Sequence, residues 1–256
     1  MGKIISIVNQ KGGVGKTTTA INLGAYLAYL GKQVLLIDVD PQANATSGLG
    51  VEINDLEYGI YEALIGSKSL EGVVKKTKQS GYELAPSNPA LAGAGVELVN
   101  MPEREWRLDK ILKEKKKDYD YVIIDGPPSL GLLTVNSLVA ADEILIPIQS
   151  EYYSLEGLGQ LLETINLVKE NLKPEIEIKG AVVTMYDKRN RLSGLIMKEL
   201  EEHFPHRILK TVVPRNVRLA ESPSFGRTIF QYDKKSKGAE AYEKLAREII
   251  NLDKEE

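Results

Sequence analysis

A chain of 256 residues, 43% hydrophobic and 27% charged, has the size and composition of a packed globular protein rather than a disordered or fibrous one. It contains no cysteine, which excludes disulfides, thiolate metal sites and iron–sulfur clusters, and no apolar run approaches the ~20 residues that span a bilayer. A net charge of −3 argues against a dedicated nucleic-acid binder, yet that average hides an asymmetry, because residues 179–237 hold 13 Lys/Arg against 6 Asp/Glu.

The chain runs directly into a β-branched stretch, Ile4-Ile5-Ser6-Ile7-Val8, so no leader segment is expected. Asn9–Thr18 follows, with K-G-G-V-G-K-T at 11–17, and then a helical pattern over about 17–30 that stops at Gly31. Val34-Leu35-Leu36-Ile37 predicts a second buried strand, ending on Asp38-Val39-Asp40-Pro41-Gln42. Turn formers over 43–50 predict a loop; short helices are expected at 60–65 and 70–76 and a strand at 82–85. Residues 102–117 are expected to be helical, with Trp106 on the core and the Lys113–Lys117 charge run on a solvated face.

Tyr121-Val122-Ile123-Ile124 is a third apolar strand, closing on Asp125-Gly126-Pro127-Pro128-Ser129. Ile144–Ile148 is another, whose Pro147 calls for a strand end or a side that needs no partner. A periodic helix carries Leu155, Leu158, Leu161, Leu162, Ile165 and Val168; beyond it come a strand at 181–183, a helix over 192–204, a strand at 208–213 and a terminal helix. Uniformly apolar strands alternating with helices predict an α/β fold, and the glycine-rich K-G-G-V-G-K-T turn between the first strand and helix makes it one of the P-loop NTPase type. Its central sheet would be mostly parallel, with helices on both faces, in a single domain over 1–256. Ligands bind beyond the carboxyl ends of such strands, where Lys11, Asp40 and Asp125 all fall.

The stretch 11–17 is built for phosphate. Glycines allow a tight turn that points backbone N–H groups inward, and the helix N-terminus behind them adds positive potential. Lys16 is placed to reach the β- and γ-phosphates and the Thr17 hydroxyl to ligate Mg²⁺. One departure stands out: Gln10 occupies the position of the first glycine of G-x-x-x-x-G-K-[ST], and a second lysine, Lys11, follows it. A lysine five residues before Lys16 is hard to place on the same loop's nucleotide, so its side chain is expected to cross an interface and act in trans. Asp125 ends its strand as a Walker B carboxylate does, holding Mg²⁺ directly or through water. Asp40 is the candidate for positioning the attacking water, and Asp38 for supporting the metal's water shell; the plainer alternative is that both cap a turn before Pro41.

At these residues the chain resembles the ParA/Soj family of deviant Walker A ATPases. The resemblance spans nearly the whole length: K-G-G-V-G-K-T at 11–17, V-D-P-Q at 39–42, N-A-T-S-G-L-G at 44–50, D-G-P-P-S-L-G at 125–131, E-Y-Y-S-L-E-G at 151–157, T-M-Y-D at 184–187 and V-P-R-N-V-R-L-A-E-S-P-S-F-G at 213–226. It implies Lys11 as signature lysine, Lys16 and Thr17 as phosphate and Mg²⁺ ligands, and Asp40 as catalytic aspartate. It also implies a phosphate loop of Gly12, Gly13, Val14, Gly15 and Thr18, and adenine and ribose contacts near Met185, Pro214, Arg215 and Asn216.

For activity the resemblance implies Mg²⁺-dependent ATP hydrolysis by an ATP-bound sandwich dimer. That dimer would bind double-stranded DNA without sequence preference and leave it when a ParB-type centromere-binding protein stimulates hydrolysis. The protein would be cytoplasmic, and nucleoid-associated when ATP-bound. The basic segment supplies the DNA candidates, Arg189 and Arg218 first, then Lys188, Arg191, Arg215 and Arg227. The alternative is a membrane-cycling division-site ATPase like MinD. It requires a basic amphipathic C-terminal helix, whereas this chain ends Asn251-Leu252-Asp253-Lys254-Glu255-Glu256. A metabolic P-loop ligase would need a second-substrate pocket that the sequence does not reveal.

Overall fold

The computed structural model describes residues 2–151 and 156–255. Its centre is a seven-stranded sheet in the order β3-β4-β2-β5-β1-β6-β7, formed by β1 (Lys3–Ile7), β2 (Val34–Asp38), β3 (Lys75–Lys76), β4 (Tyr82–Ala85), β5 (Tyr121–Asp125), β6 (Glu143–Gln149) and β7 (Glu177–Thr184). Every pairing is parallel except β3 with β4. Parallel neighbours need crossover connections, and here these are largely helices covering both faces: α1 (Lys16–Tyr29), α2 (Asn44–Gly48), α3 (Ile60–Ile65), α4 (Leu70–Val73), α5 (Leu91–Glu97), α6 (Arg107–Lys113), α7 (Leu132–Ala140), α8 (Glu156–Asn171), α9 (Arg191–His203), α10 (Val217–Glu221), α11 (Ile229–Tyr232) and α12 (Lys237–Glu255).

The two-residue period of the strands sorts their side chains into two cores. Ile5, Ile7, Val34 and Leu36 pack with Leu23 and Leu27 of α1 and Leu245 and Ile249 of α12. Ile4, Leu35, Ile37 and Ile124 pack with Leu64, Leu91, Leu108, Leu138, Leu161 and Ile196 from the helices of the other face. One contact fixes how closely α1 lies on the sheet: a Cβ on Gly24 would sit 2.6 Å from the Tyr82 hydroxyl, which donates to the Ile21 carbonyl at 3.1 Å. Gly24 lets that helix down onto β4.

Four details differ from expectation. Residues 44–48 are a helical turn rather than a loop, because the Asp38 carboxylate accepts the Thr46 N–H at 2.8 Å and so satisfies a donor at the helix start. The helix expected over 102–117 is confined to α6. Glu103 takes a left-handed φ of 51°, and Asn136 of α7 caps the delayed start by accepting the Leu108 N–H at 3.1 Å. Lys75–Lys76, expected within a helix, forms the short antiparallel edge strand β3. Among the described residues the backbone of 208–213 pairs with β7 only through an isolated Ala181–Ile208 bridge and single bonds. The Lys210 and Thr211 N–H groups donate to the Glu248 carboxylate (2.7 and 2.9 Å), which takes them out of any ladder. Pro147 behaves as its ring requires, since β6 pairs with β1 only as far as Leu145.

Candidate functional site

Because the long strands run parallel, β1, β2, β4, β5, β6 and β7 all deliver their following residues to one edge of the sheet. The turn after β1 is held at both ends. Asn9 donates to the Pro147 carbonyl (2.7 Å) and accepts the Lys11 N–H (2.9 Å), while the Val14 carbonyl accepts the Thr184 hydroxyl from the end of β7 (2.7 Å). Gly13 and Gly15 take φ of 76° and 91°, which only glycine adopts at no steric cost, and the open space around Gly12 and Gly13 leaves their backbone accessible to an anion. Lys16 is buried and folds its ammonium back to the Lys11 carbonyl at 3.1 Å. Burial holds its pKa below the usual lysine value, against the pull of Asp125 and Asp40. A lysine so placed is ready to exchange a carbonyl for a phosphate.

Three aspartates stand beside it in three different conditions. Asp38 is fully buried with both oxygens taken: one accepts the Thr46 N–H (2.8 Å) and hydroxyl (2.7 Å), the other the Asp40 N–H (3.2 Å). Burial pushes its pKa up to about 6 even so. Asp40 accepts the Gln42 N–H at 3.0 Å on one oxygen. Asp125 is fully buried, and neither of its oxygens has a hydrogen-bond partner among the described residues. Burial, then the Asp38 carboxylate, drive its pKa well above the carboxylate range. The Thr17 hydroxyl is near enough to favour the ionised form without completing a bond of normal geometry. An orphaned buried carboxylate is costly by itself, and with the neighbouring Thr17 hydroxyl it is a suitable set of oxygen donors for a hard divalent cation with its water shell.

Next to the glycine turn lies a cavity of ≈ 220 Å³ lined by Gly15, Thr18, Met185, Pro214, Arg215 and Asn216 among others. It is shaped by Met185, held at a φ of 52°, and by Tyr186, whose N–H donates to the Val213 carbonyl (3.0 Å) and whose carbonyl accepts the Arg215 N–H (3.1 Å). The four residues named for a base and ribose thus line one cavity, which adjoins the loop named for phosphates.

Comparison with known proteins agrees with this geometry. The chain matches the AAA domain family over residues 2–178. It is 52% identical over 249 residues to the sporulation initiation inhibitor protein Soj of Bacillus subtilis, covering 97% of this chain and 98% of that one. It is 50% identical over 253 residues to the chromosome partitioning protein ParA of Myxococcus xanthus, covering 99% and 89%. The chain belongs to the ParA/Soj family. A solved structure of cobyrinic acid a,c-diamide synthase from Mycobacterium smegmatis with bound ADP and magnesium shares the fold at a TM-score of 0.89 and 35% identity, over 99% of this chain and 96% of that one.

The ParA/Soj signature at 151–157 falls partly on residues 152–155, outside the described residues, as does Leu155 of the expected helix face. The basic residues of the ParA/Soj segment divide into two groups. Arg189 forks onto Asp187 (3.0 and 3.1 Å), Arg215 pairs with Glu151 (3.0 Å), and Arg218 pairs with Glu221 (2.9 Å) and Asp233 (3.5 Å). Lys188, Arg191 and Arg227 are exposed and make no ion pair among the described residues. Sequence reasoning passed over Ser87 and gave no role to Thr46 and Thr184, although both lie in the motifs that carry the family resemblance. Each is a hydroxyl residue that is buried at the sheet's carboxyl edge, and a polar residue just past an apolar strand was the available signal for Ser87 and Thr184.

Proposed function

We propose that this ParA/Soj chain is an ATP-driven partitioning switch, a single domain over 1–256 that hydrolyses ATP to ADP and phosphate with Mg²⁺. Its ATP-bound homodimer grips double-stranded DNA regardless of sequence in the cytoplasm, on the nucleoid. A ParB-type centromere-binding partner stimulates hydrolysis and so releases it. The observation that carries this reading is the carboxyl edge, where the orphaned Asp125 and the folded-back Lys16 stand at a glycine turn whose Gly15 and Thr18 line a ≈ 220 Å³ cavity. The Soj and ParA relatives support the partitioning role.

In this reading the backbone N–H groups of Gly12, Gly13, Val14, Gly15, Lys16, Thr17 and Thr18 cradle the phosphates, and Met185, Pro214, Arg215 and Asn216 hold the nucleoside. Thr17 would hold Mg²⁺ directly, and Asp40 and Asp125 through water; the ion would neutralise charge on the phosphate oxygens. Asp40 positions the attacking water. Lys16 stabilises charge from within the chain and Lys11 from the partner copy, a contribution of the kind worth ~10³–10⁵ in rate. The test is Lys11→Ala with ATP, followed by light scattering for dimer and by phosphate release. The variant should remain monomeric and inactive, and a dimeric, fully active variant would refute the trans role. DNA pelleting complements it: wild type should pellet with ATP and not with ADP, and Asp40→Ala should stay trapped on DNA.

The MinD-like alternative loses support at the last helix. Tyr242, Leu245, Ala246 and Ile249 of α12 are buried against α1 and the sheet, so that apolar face is core and not available to lipid. No helix among the described residues is long and apolar enough to cross a membrane. A synthase role finds its support in the diamide synthase, at 35% identity, below the 52% and 50% of the partitioning relatives.

A further inference from the structure

Asp40 is held by more than its own loop. Ser87 lies two residues beyond β4, on a strand to which no part of the chemistry has been assigned, and is fully buried. Its hydroxyl donates to the Asp40 carbonyl at 2.7 Å, and its N–H donates to the Thr46 hydroxyl at 2.9 Å. Thr46 in turn donates to Asp38, and Asp38 accepts the Asp40 N–H. The four residues close a ring in which both peptide groups flanking the Asp40 side chain are fixed by buried partners. The outer end of the β4 loop is anchored as well. The Pro86 carbonyl accepts the Ile60 N–H at 2.8 Å, and a Cβ on Gly59 would sit 2.7 Å from that carbonyl, so the start of α3 is pressed against the loop.

We propose that Ser87 is a positioning residue for water attack: its hydroxyl, latched to the Asp40 carbonyl and seated on Thr46, sets where the Asp40 carboxylate stands. The proposal rests on the assignment of Asp40 to the attacking water. Ser87 touches no substrate; it acts on rate only through Asp40. A carboxylate that must orient a water is sensitive to displacements well under an ångström, whereas the glycine turn and the nucleoside cavity, which bind ATP, take no bond from Ser87.

The test compares wild type, Ser87→Ala, Ser87→Cys, Asp40→Ala and the Ser87→Ala/Asp40→Ala double variant, using the full chain, Mg²⁺ and ATP. Steady-state hydrolysis against ATP concentration is read beside nucleotide affinity and melting temperature. Loss of one hydrogen bond predicts a kcat about tenfold lower for Ser87→Ala. Its KM for ATP and affinity for ADP should be unchanged, and Ser87→Cys, which keeps a weaker donor in nearly the same volume, should fall between. In the Asp40→Ala background Ser87→Ala should cost nothing further. A Ser87→Ala enzyme with wild-type kcat, an equal loss in both backgrounds, or a loss that follows ATP affinity or melting temperature instead of kcat would each overturn the latch. If Asp40→Ala hydrolyses ATP like wild type, it is the Asp40 assignment that falls, and the latch falls with it.

Discussion

The two edges of the same sheet bury charge in opposite ways. At the amino edge Lys179, almost wholly enclosed, meets Glu143 at 2.7 Å and also pairs with Asp253. Lys3 reaches the same two carboxylates at 2.9 and 3.1 Å, and the Tyr121 hydroxyl donates to Asp253. This cluster joins β1, β5, β6 and β7 to the end of α12, and each of its carboxylates is paired with two ammonium groups, although Glu143 Oε2 completes no hydrogen bond of normal geometry. At the carboxyl edge Lys16 and Asp125 share a buried space without completing one another, and Asp125 has both oxygens orphaned. Buried charge paired within the protein fastens a scaffold; a buried carboxylate with no hydrogen-bond partner on either oxygen is tolerated where a ligand completes it.

The largest expected effect tests the amino edge. Lys179→Ala leaves the buried Glu143 and the half-buried Asp253 with one cation fewer, and removing one partner of a buried pair costs about 3–5 kcal/mol, or roughly 10 °C in melting temperature for a chain of this size. Nucleotide affinity measured well below the transition should be untouched. A melting temperature within two degrees or so of wild type would mean that this cluster fastens nothing.

Next comes the carboxyl edge, where the same kind of change should have the opposite sign. Asp125→Asn removes a buried carboxylate that Thr17 and Lys16 compensate only in part, so the ligand-free protein should melt a few degrees higher. The price is function: the further rise in melting temperature that wild type shows with Mg²⁺ and ATP should largely vanish in the variant, with hydrolysis lost. If Asp125→Asn is destabilised without ligand, its carboxylate is part of the scaffold after all, and the contrast between the edges breaks down.

The contrast also explains what is legible in the sequence. Apolar strands, the glycine turn and the aspartates after β2 and β5 announce themselves, since each follows from spacing along one stretch of chain. Met185, Pro214, Arg215 and Asn216 were named through the family resemblance, and they line one cavity. The amino-edge cluster was invisible. Lys3, Tyr121, Glu143, Lys179 and Asp253 are scattered over the whole sequence, and only the parallel sheet and the return of α12 bring them together. The interrupted 208–213 stretch escaped for the same reason, because the sequence-distant Glu248 carboxylate takes two of its N–H groups; helical turn 44–48 escaped because its decisive N–H partner, Asp38, lies outside the segment, at the end of β2.

Charge at the surface makes a third class, and the smallest expected effect belongs there. Arg189, a first choice for DNA, is 89% exposed and forked onto Asp187, whose pKa that partner, chiefly through its hydrogen bonds, pulls down to about 2. An exposed ion pair contributes little to stability, so Asp187→Asn should leave the melting temperature where it was. Its effect should appear on DNA. With the carboxylate gone, Arg189 meets a phosphate without first giving up a partner, and the protein no longer presents a like charge to the backbone. ATP-dependent binding should tighten a few-fold, and the plot of log affinity against log salt should steepen, by about one for each further phosphate neutralised. Arg189→Ala should do the reverse. Should Asp187→Asn bind DNA as wild type does while Arg189→Ala is also silent, this arginine lies off the DNA path, and Lys188, Arg191 and Arg227 become the residues to test.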